Sequence, residues 1–283
     1  MRLRSLLFVP ADRPERFAKA AASGADALIL DLEDSVAHSA KPAGRQAMAA
    51  WLSAEGRQVP SLVRVNPLTS PHIEADLDAL AGLSPLALVL PKAEGAASIA
   101  MLDGLLRPRG LTDVPILPIA TETPAAIFQL GSYGAQATRL CGLTWGAEDL
   151  PAALGALSGR DAEGRLTPPC EVARALALFA AGAAGVAAIE TVWPAFRDLE
   201  GLAAYAARGV RDGFSGMMAI HPSQVPIINA AFTPSAEDQA RARRIVDAFA
   251  AHPDTGVINL DGEMLDAPHL RQARATLARA GEA

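Results

Sequence analysis

Residues 3–33, LRSLLFVPADRPERFAKAAASGADALILDLE, combine two strand patterns with one helical pattern between them. The first apolar run, LLFV, ends at Pro10, and the second, ALIL, ends in the acids Asp31 and Glu33. Strands that are apolar throughout suit a parallel sheet covered by helices on its outer face. This stretch therefore predicts one strand–helix–strand unit of an α/β protein.

The same alternation of apolar runs and helical segments recurs along most of the chain. Eight runs are typical of strands, and they cover residues 3–10, 25–33, 61–67, 86–92, 114–122, 139–146, 185–190 and 214–221. Between most of them lie roughly 15 to 30 residues rich in Ala and Leu with helical spacing. Eight such units predict a (β/α)8 TIM barrel, which gathers its chemistry at the carboxyl ends of its strands.

The chain is longer than such a barrel requires. Its 283 residues exceed the roughly 250 of a typical barrel. We therefore assign residues 1–232 to a catalytic barrel and residues 233–283 to a C-terminal lid extension made of helices and a hairpin around Asp261-Gly262. Such an extension either packs beneath its own barrel or covers the site of a neighbouring subunit.

The composition restricts the class of protein. A net charge of −6 argues against nucleic-acid binding, which favours a basic surface. Two cysteines, Cys141 and Cys170, give no disulfide framework and favour a reducing compartment. There is no signal-peptide pattern and no apolar run of about 18 residues, so we expect a cytoplasmic protein without a membrane span. Missing phosphate-loop, dinucleotide, serine-hydrolase and zinc motifs argue against those enzyme classes.

Charged or polar side chains follow most of the predicted strands. They are Asp31, Glu33, Asp34, Arg64, Lys92, Glu122, Asp149, Glu190 and His221. Because the carboxyl ends of barrel strands meet at one face, we expect these side chains to surround a common site. Their composition indicates a divalent metal and an anionic substrate.

Two carboxylates are the candidate metal ligands. Glu122 follows the fifth predicted strand and Asp149 follows the sixth. Adjacent strands lie about 4.8 Å apart, so carboxylates at their ends can share one ion. One or two carboxylates, completed by water and substrate oxygens, are the usual ligands of Mg²⁺. Glu148 competes with Asp149 for the second position, and spacing alone does not choose between them.

Two cations face these acids. Arg64 lies inside an apolar strand, where an unpaired charge is costly, so it must meet an anion. That anion is either an internal acid (Asp31, Glu33 or Asp34) or a carboxylate or developing oxyanion of the substrate. Lys92 can position a carboxylate or, alternatively, form an imine with a carbonyl substrate.

Eight short motifs resemble those of one family. They are RSLLFVP at residues 4–10, DLEDSV at 31–36, RVNP at 64–67, LPK at 90–92, ET at 122–123, GAEDL at 146–150, IHPSQ at 220–224 and GEMLD at 262–266. They extend over nearly the whole chain. The sequence thus resembles the citrate lyase β-subunit-like family, within the HpcH/HpaI aldolase/citrate lyase superfamily.

The resemblance implies roles for particular residues. In such enzymes the positions that match Glu122 and Asp149 hold Mg²⁺, and the position that matches Arg64 contacts the substrate. We accordingly expect Arg64, Glu122 and Lys92 to bind substrate, and Arg64 and Asp266 to act in catalysis. Asp266 belongs to the lid and is expected to serve the adjacent subunit's site as an acid or base. This implies a homo-oligomer, often a trimer.

Four other positions bear on the carrier and the substrate. Lys41 and Arg45 match basic positions that are expected near the phosphates of a thioester carrier. Met217 stands where relatives often have lysine, and Glu190 stands where many have aspartate. These two departures leave the metal pair untouched but affect the expected substrate.

The activity implied by the resemblance is that of a Mg²⁺-dependent lyase. It would cleave or form a carbon–carbon bond in a 3-hydroxy-3-carboxyacyl-CoA thioester such as malyl-CoA or citramalyl-CoA, with a 2-keto acid and an acyl thioester as the other partners. Three alternatives stay open. They are a malyl-CoA-type thioesterase, a citrate lyase β subunit served by an acyl carrier protein, and a pyruvate aldolase that needs no thioester.

Overall fold

The computed structural model describes residues 3–56 and 58–282; positions 1, 2, 57 and 283 of the two predicted domains lie outside these ranges. Eight parallel strands form one sheet. Their bounds are β1 Ser5–Pro10, β2 Ala27–Asp31, β3 Ser61–Arg64, β4 Leu88–Leu90, β5 Ile116–Pro118, β6 Leu143–Thr144, β7 Ala188–Glu190 and β8 Gly216–Ala219. Each lies within one of the eight predicted runs.

Helices connect the strands and surround the sheet. The α-helices of the described residues are α1 Phe17–Ala21, α2 Lys41–Ser53, α3 Ile73–Asp78, α4 Ala96–Leu106, α5 Pro124–Ile127, α6 Asp149–Ala153, α7 Pro168–Ala184, α8 Leu199–Asp212, α9 Val225–Ala231, α10 Ala236–Ala251 and α11 Ala267–Ala280. Short 3-10 helices cover Pro14–Arg16, His38–Ala40, Arg107–Arg109, Leu130–Arg139 and Pro222–Gln224. None of the helices in residues 3–56 and 58–282 has the length and apolar character to cross a membrane.

The sheet closes on itself. Its strands neighbour one another in the order β5-β4-β3-β2-β1-β8-β7-β6. Single bridges from Ile116 to Leu140 and from Ile119 to Thr144 join the two ends. Eight parallel strands closed in this way, with helices outside, confirm the predicted (β/α)8 TIM barrel.

Successive residues of each strand point alternately into the barrel and toward the helices. One buried cluster fills the interior and contains Leu6, Ala27, Ile29, Leu62, Ala87, Val89, Leu117, Ile119, Ile189 and Met218. The residues between them, such as Leu28 and Leu30, pack against the helices. Asp31 continues the inward series after Ile29, and Arg64 continues it after Leu62. Both therefore point into the mouth of the barrel.

The segment after the barrel has an apolar core of its own, made of Ala242, Ile245, Ile258, Leu265 and Ala273. Strands β9 (Val257–Leu260) and β10 (Glu263–Asp266) form the predicted antiparallel hairpin. Asp261 and Gly262 in its turn have φ values of 53° and 88°, as a tight type I′ turn requires. The boundary between residues 232 and 233 stays a prediction.

This C-terminal module, residues 234–282, faces the amino-terminal end of the barrel. One cavity there is lined by residues of both parts, among them Leu3, Arg4, Ala187, Ser215, Ala278 and Arg279. The first four precede the strands β1, β7 and β8. The end of α11 thus lies opposite the carboxyl ends of the strands, where the charged residues gather.

Candidate active site at the carboxyl end of the barrel

One pocket contains most of the predicted site residues. Its charged lining consists of Asp31, Asp34, Arg64, Glu122, Glu148 and Asp149. Apolar side chains, including Phe8, Ile119 and Met218, form other parts of its wall. The carboxyl ends of β2, β3, β5 and β6 therefore meet as the barrel predicts.

Arg64 is held by internal acids. Strand register places Asp31 beside Arg64, and the Arg64 Nε and Nη2 atoms donate to the two Asp31 oxygens at 2.7 Å each. The Nη1 atom lies 3.1 Å from Glu33 Oε2, and the guanidinium carbon lies 4.7 Å from the centre of the Phe8 ring. The internal partners are thus Asp31 and Glu33, and the remaining N–H groups of the five on a guanidinium are left for a ligand.

The two acids beside Arg64 differ in their proton affinity. Burial alone would raise the pKa of Asp31, but the hydrogen bonds and charge of Arg64 outweigh it and hold that pKa below its usual range. Burial dominates at Glu33 and raises its pKa, although Arg64 and Lys92 partly offset the effect. Asp31 is therefore the firmly ionised partner of Arg64.

A buried lysine fixes the loop that carries these acids. Lys41 is 4% exposed, and its Nζ donates to the carbonyl oxygens of Leu32 at 2.8 Å and Glu33 at 3.0 Å. Arg45 donates from Nε to Asp76 at 2.7 Å. The Lys41 amine is thus enclosed beneath the loop and Arg45 is engaged by an internal acid, which argues against direct contact of either with a carrier phosphate.

Lys92 connects three of the acids. Its backbone N–H donates to Glu122 Oε2 at 2.6 Å, and its Nζ lies 2.7 Å from Glu33 Oε1 and 3.4 Å from Asp149 Oδ1. Desolvation would lower the pKa of Lys92, but the hydrogen bond and charge of Glu33, with the charges of Glu122 and Asp149, raise it. A firmly protonated amine is a poor nucleophile, which argues against the imine alternative.

Glu122 is the buried member of the predicted metal pair. It is 4% exposed, and burial, reinforced by the charges of Asp149 and Glu33, raises its pKa to about 8 although the Lys92 N–H opposes the shift. Gly146 lies against it, since a Cβ at that position would be 2.7 Å from Glu122 Cγ. A carboxylate that is costly to ionise without a cation fits a metal ligand.

The donor set suits magnesium. Across the described ranges, no three or more His, Cys, Asp and Glu side chains converge to hold a metal by protein atoms alone. Mg²⁺ is commonly bound by one or two carboxylates and completes its shell with water and substrate oxygens. Glu122 and Asp149 in one pocket fit this pattern. Glu148 also lines the pocket, but only Asp149 contacts Lys92.

Glu190 lies outside the pocket. It is fully buried and accepts hydrogen bonds from Trp145 Nε1 at 2.5 Å, Arg174 Nε at 2.7 Å and the Tyr205 hydroxyl at 3.1 Å. Since Ile189 points into the barrel, Glu190 must point toward the helices. The expectation that it faces the mouth is therefore wrong.

Met217 follows the same rule. It belongs to the buried layer between the strands and the helices, whereas the next residue, Met218, lines the pocket. The two departures from the family pattern, Met217 and Glu190, therefore lie behind the barrel wall. Neither of them lines the pocket.

Asp266 and His221 serve as caps in this chain. Asp266 precedes α11 and lies 2.6 Å from the Nδ1 atom of His269, in the C-terminal module. It does not line the described pocket of its own chain. His221 is exposed and caps the short helix Pro222–Gln224.

Three contributors were missed by sequence reasoning. Phe8 lies beneath Arg64, Lys41 ties the acidic loop, and Gly146 shapes the space beside Glu122. The inward series of β1, which includes Leu6, could have revealed Phe8. Lys41 and Gly146 stood out only through the family pattern, as a basic position and as part of the GAEDL motif, and nothing in the sequence indicated the contacts that they make here.

The fold and the pocket define a (β/α)8-barrel enzyme with paired carboxylates and a buried arginine at the carboxyl end. The sequence pattern of one family, described as HpcH/HpaI aldolase/citrate lyase, matches residues 4–222. The chain belongs to this family of aldolases and citrate lyases, which confirms the predicted resemblance.

Individual relatives agree with this assignment. A citrate lyase subunit beta-like protein of Mycobacterium tuberculosis is 40% identical over 277 residues, covering 98% of this chain and 95% of the relative. A (3S)-malyl-CoA thioesterase of Cereibacter sphaeroides is 35% identical over 282 residues, covering 98% and 94%. The crystal structure of CitE from M. tuberculosis with magnesium, acetoacetate and coenzyme A has a TM-score of 0.82 at 40% identity, covering 99% of this chain and 98% of that one. Magnesium is also the metal that the sequence predicts.

Proposed function

We propose that this protein is a Mg²⁺-dependent carbon–carbon lyase acting on a 3-hydroxy-3-carboxyacyl-CoA thioester of the malyl-CoA or citramalyl-CoA kind. The observation that carries the proposal is one pocket in which Glu122 and Asp149 lie with Arg64, itself clamped by Asp31. A relative crystallised with magnesium, acetoacetate and coenzyme A supports the ligand classes. The products of cleavage are a 2-keto acid and an acyl thioester.

Glu122 and Asp149 would hold the metal. When bound there, Mg²⁺ supplies a Lewis acid for the carboxylate and the neighbouring oxygen of the substrate. Glu122 is kept in place by the Lys92 N–H and by the close contact with Gly146. The protein thus presents one buried, oriented carboxylate and one half-exposed carboxylate to the ion.

Arg64 would stabilise negative charge on the substrate oxygen that becomes the ketone. Its guanidinium is pre-oriented by two hydrogen bonds to Asp31 and by the Phe8 ring. A donor held in this way loses little freedom when charge develops on the substrate, which is how preorganised groups accelerate a reaction. Lys92, on the other side of Glu33, is the candidate partner for a substrate carboxylate.

Cleavage removes the proton of the substrate hydroxyl and adds one proton to the enolate carbon of the departing thioester. Asp266 is the proposed acid that delivers the second of these, and it would act from an adjacent subunit. The end of α11 in its own module faces the amino-terminal end of its own barrel. We therefore propose a homo-oligomer, with a trimer as the expected form. Both cysteines are free thiols, which suits the cytoplasmic location that we also propose.

Two exposed apolar surfaces support this assembly. Phe128, Leu154 and Val172, which are 87%, 50% and 55% exposed, line a groove formed by the helices that follow Glu122 and Asp149. On the hairpin, Val257 and Met264 are 46% and 74% exposed, and register places Val257 opposite Asp266. A second copy whose hairpin occupies the groove would carry Asp266 toward the pocket.

A second candidate activity has its own observation. The malyl-CoA thioesterase relative is 35% identical over 98% of this chain, so hydrolysis of a malyl-CoA-type thioester uses a closely similar scaffold. Presentation of the substrate by an acyl carrier protein, and an aldolase reaction of free pyruvate, are further outcomes that the assay below separates.

The test is a coupled assay with malyl-CoA and citramalyl-CoA, with Mg²⁺ and with EDTA, on the wild type and on Glu122→Ala. Release of glyoxylate or pyruvate that requires Mg²⁺ and is lost in Glu122→Ala supports the lyase. Release of free coenzyme A without a 2-keto acid indicates the thioesterase. No turnover of either thioester refutes the CoA lyase and directs attention to carrier-bound or free substrates.

The origin of Asp266 is tested by mixing two inactive variants, Glu122→Ala and Asp266→Asn, after reversible dissociation. If each site takes Asp266 from a neighbour, mixed oligomers regain part of the activity, because some sites combine two intact contributions. If the mixed oligomers stay inactive, Glu122 and Asp266 of each active site come from the same chain.

A further inference from the structure

The main chain at Lys92 adopts an uncommon conformation. Its φ is 52°, in the left-handed region that side chains other than glycine rarely adopt. In residues 3–56 and 58–282, the other such non-glycine residue is Asp261 in the hairpin turn. The conformation aims the Lys92 N–H at Glu122 Oε2, 2.6 Å away. Strain of this kind clusters at functional sites.

The side chain of Lys92 is shared between two acids of different exposure. Its Nζ makes a 2.7 Å contact with Glu33, whose side chain is 4% exposed, and a 3.4 Å contact with Asp149, whose side chain is 34% exposed. The buried contact is the shorter one. The ammonium is therefore anchored on Glu33 and reaches from there to one of the two proposed metal ligands.

The charges around this ammonium do not balance. Four carboxylates, those of Asp31, Glu33, Glu122 and Asp149, meet two cations, Arg64 and Lys92. The sum is −2 when all are ionised, and Asp34 and Glu148, which also line the pocket, add to this excess of negative charge, so a further cation is attracted there. The ammonium and the ion thus compete for the same carboxylates, since both are attracted to Asp149.

We propose that the Lys92 ammonium is the counter-ion of the metal-binding carboxylates while no metal is bound. Mg²⁺ displaces this ammonium from Asp149, and the competition lowers the affinity of the site for Mg²⁺. Once released from Asp149, the ammonium stays anchored on Glu33 and becomes available to the substrate carboxylate. Lys92 thereby makes metal binding favour substrate binding. This inference rests on the proposed metal site at Glu122 and Asp149.

Neutralising Lys92 should therefore have opposite effects on the binding of Mg²⁺ and on the binding of substrate. Neutralising Lys92 removes a positive charge close to the ion, so Mg²⁺ should bind about tenfold tighter. The same change removes a partner of the substrate carboxylate, so KM should rise about tenfold. A lysine that merely stabilised the fold of the site would weaken both.

The experiment is calorimetric titration of the metal-free protein with Mg²⁺, without substrate. Lys92→Met and Lys92→Gln are two neutral variants, of which the second keeps a hydrogen-bond donor for Glu33. Lys92→Arg retains the charge, and Lys19→Met removes an exposed lysine of α1 as the matched control. Circular dichroism melting of every variant shows that the folded protein is being titrated.

Tighter Mg²⁺ binding in either folded neutral variant, with Lys92→Arg and Lys19→Met within about twofold of the wild type, supports the proposal. Equal or weaker binding in the neutral variants overturns it. Glu122→Gln tests the proposed metal site separately from the role of Lys92. If that variant binds Mg²⁺ as the wild type does, the metal site itself is wrongly placed and the role of Lys92 fails with it.

Discussion

The buried pair of Arg64 and Asp31 allows a quantitative prediction for Asp31→Asn. Asp31 is 1% exposed and binds the guanidinium through two 2.7 Å hydrogen bonds. The asparagine has nearly the same shape but no charge, so Arg64 would be left buried with Glu33, 3.1 Å away, as its partner. We expect both the stability of the fold and the orientation of Arg64 to suffer.

The magnitude follows from the burial. Removing one partner of a buried ion pair costs about 3–5 kcal/mol. Because Glu33 still neutralises part of the charge, the lower end applies, and we expect a loss of about 3 kcal/mol in the free energy of unfolding, or roughly a hundredfold in the equilibrium constant. We expect kcat/KM to fall by roughly a hundredfold as well, because Arg64 is no longer held in one orientation.

The pH dependence supplies an independent check. The folded-state pKa of Asp31 is below its usual range, so its contribution to stability is present above the unfolded pKa, about 3.9, and is lost as the pH falls through the folded-state value. The stability difference between wild type and Asp31→Asn should therefore be full at pH 7 and shrink below about pH 4.

Urea unfolding and steady-state kinetics at pH 7 measure the two effects. The matched control is Asp26→Asn, because Arg4 binds Asp26 in the same two-pronged way, at 2.9 and 2.7 Å, near the amino-terminal end of the barrel. That control should lose stability but keep its kcat/KM. An Asp31→Asn variant as stable as the wild type, or a control that loses as much activity as Asp31→Asn does, would refute this role of Asp31.

Three further predictions concern the neighbourhood of the pocket. Because the pKa of Glu122 is raised to about 8 in the metal-free protein, Mg²⁺ must displace a proton from it at lower pH. The affinity for Mg²⁺ should therefore rise up to tenfold per pH unit between about pH 6 and 8. A Mg²⁺ affinity that calorimetry finds independent of pH in this range would contradict this. Gly146→Ala would place a Cβ 2.7 Å from Glu122 Cγ and should weaken Mg²⁺ binding about tenfold. The same titration measures it, with Gly104→Ala in α4 as the control, because a Cβ at Gly104 meets nothing within 4 Å. Glu190→Gln should cost about 3 kcal/mol in urea unfolding, since it leaves the buried Arg174 with Asp212 as its partner, while an unchanged KM in the folded fraction would confirm that Glu190 does not touch substrate.

The barrel was predictable because its strands are apolar on both faces. Such runs are typical of a parallel sheet that is covered on both faces, and the eight runs each contain one observed strand. Arg64 was identifiable for a related reason. A charge inside an apolar strand must have a partner, and the sequence offered acids at the end of the preceding strand.

The direction of the side chains was harder to predict. Glu190 ends its strand as Asp31 does, yet Asp31 points into the mouth and Glu190 points toward Trp145 and Arg174. Successive residues of a strand point to opposite faces, so a shift by one residue moves a side chain from the inside of the barrel to the side of the helices. Sequence spacing locates a strand end to within a residue or two at best, so it cannot decide which face an individual acid occupies.

Lys41 and Lys92 show a second limit, which concerns partners rather than direction. The chain has three lysines, and two of them lie beneath or beside the acidic loop at residues 31–34. One is bound to backbone carbonyls and the other to carboxylates. The first contact neutralises no charge, and after the second the carboxylates of the pocket still outnumber its cations. This excess of negative charge, together with the burial of Glu122, favours the binding of a divalent cation. One ion neutralises acids from two strands, and no further side chain has to enter the space that a substrate needs.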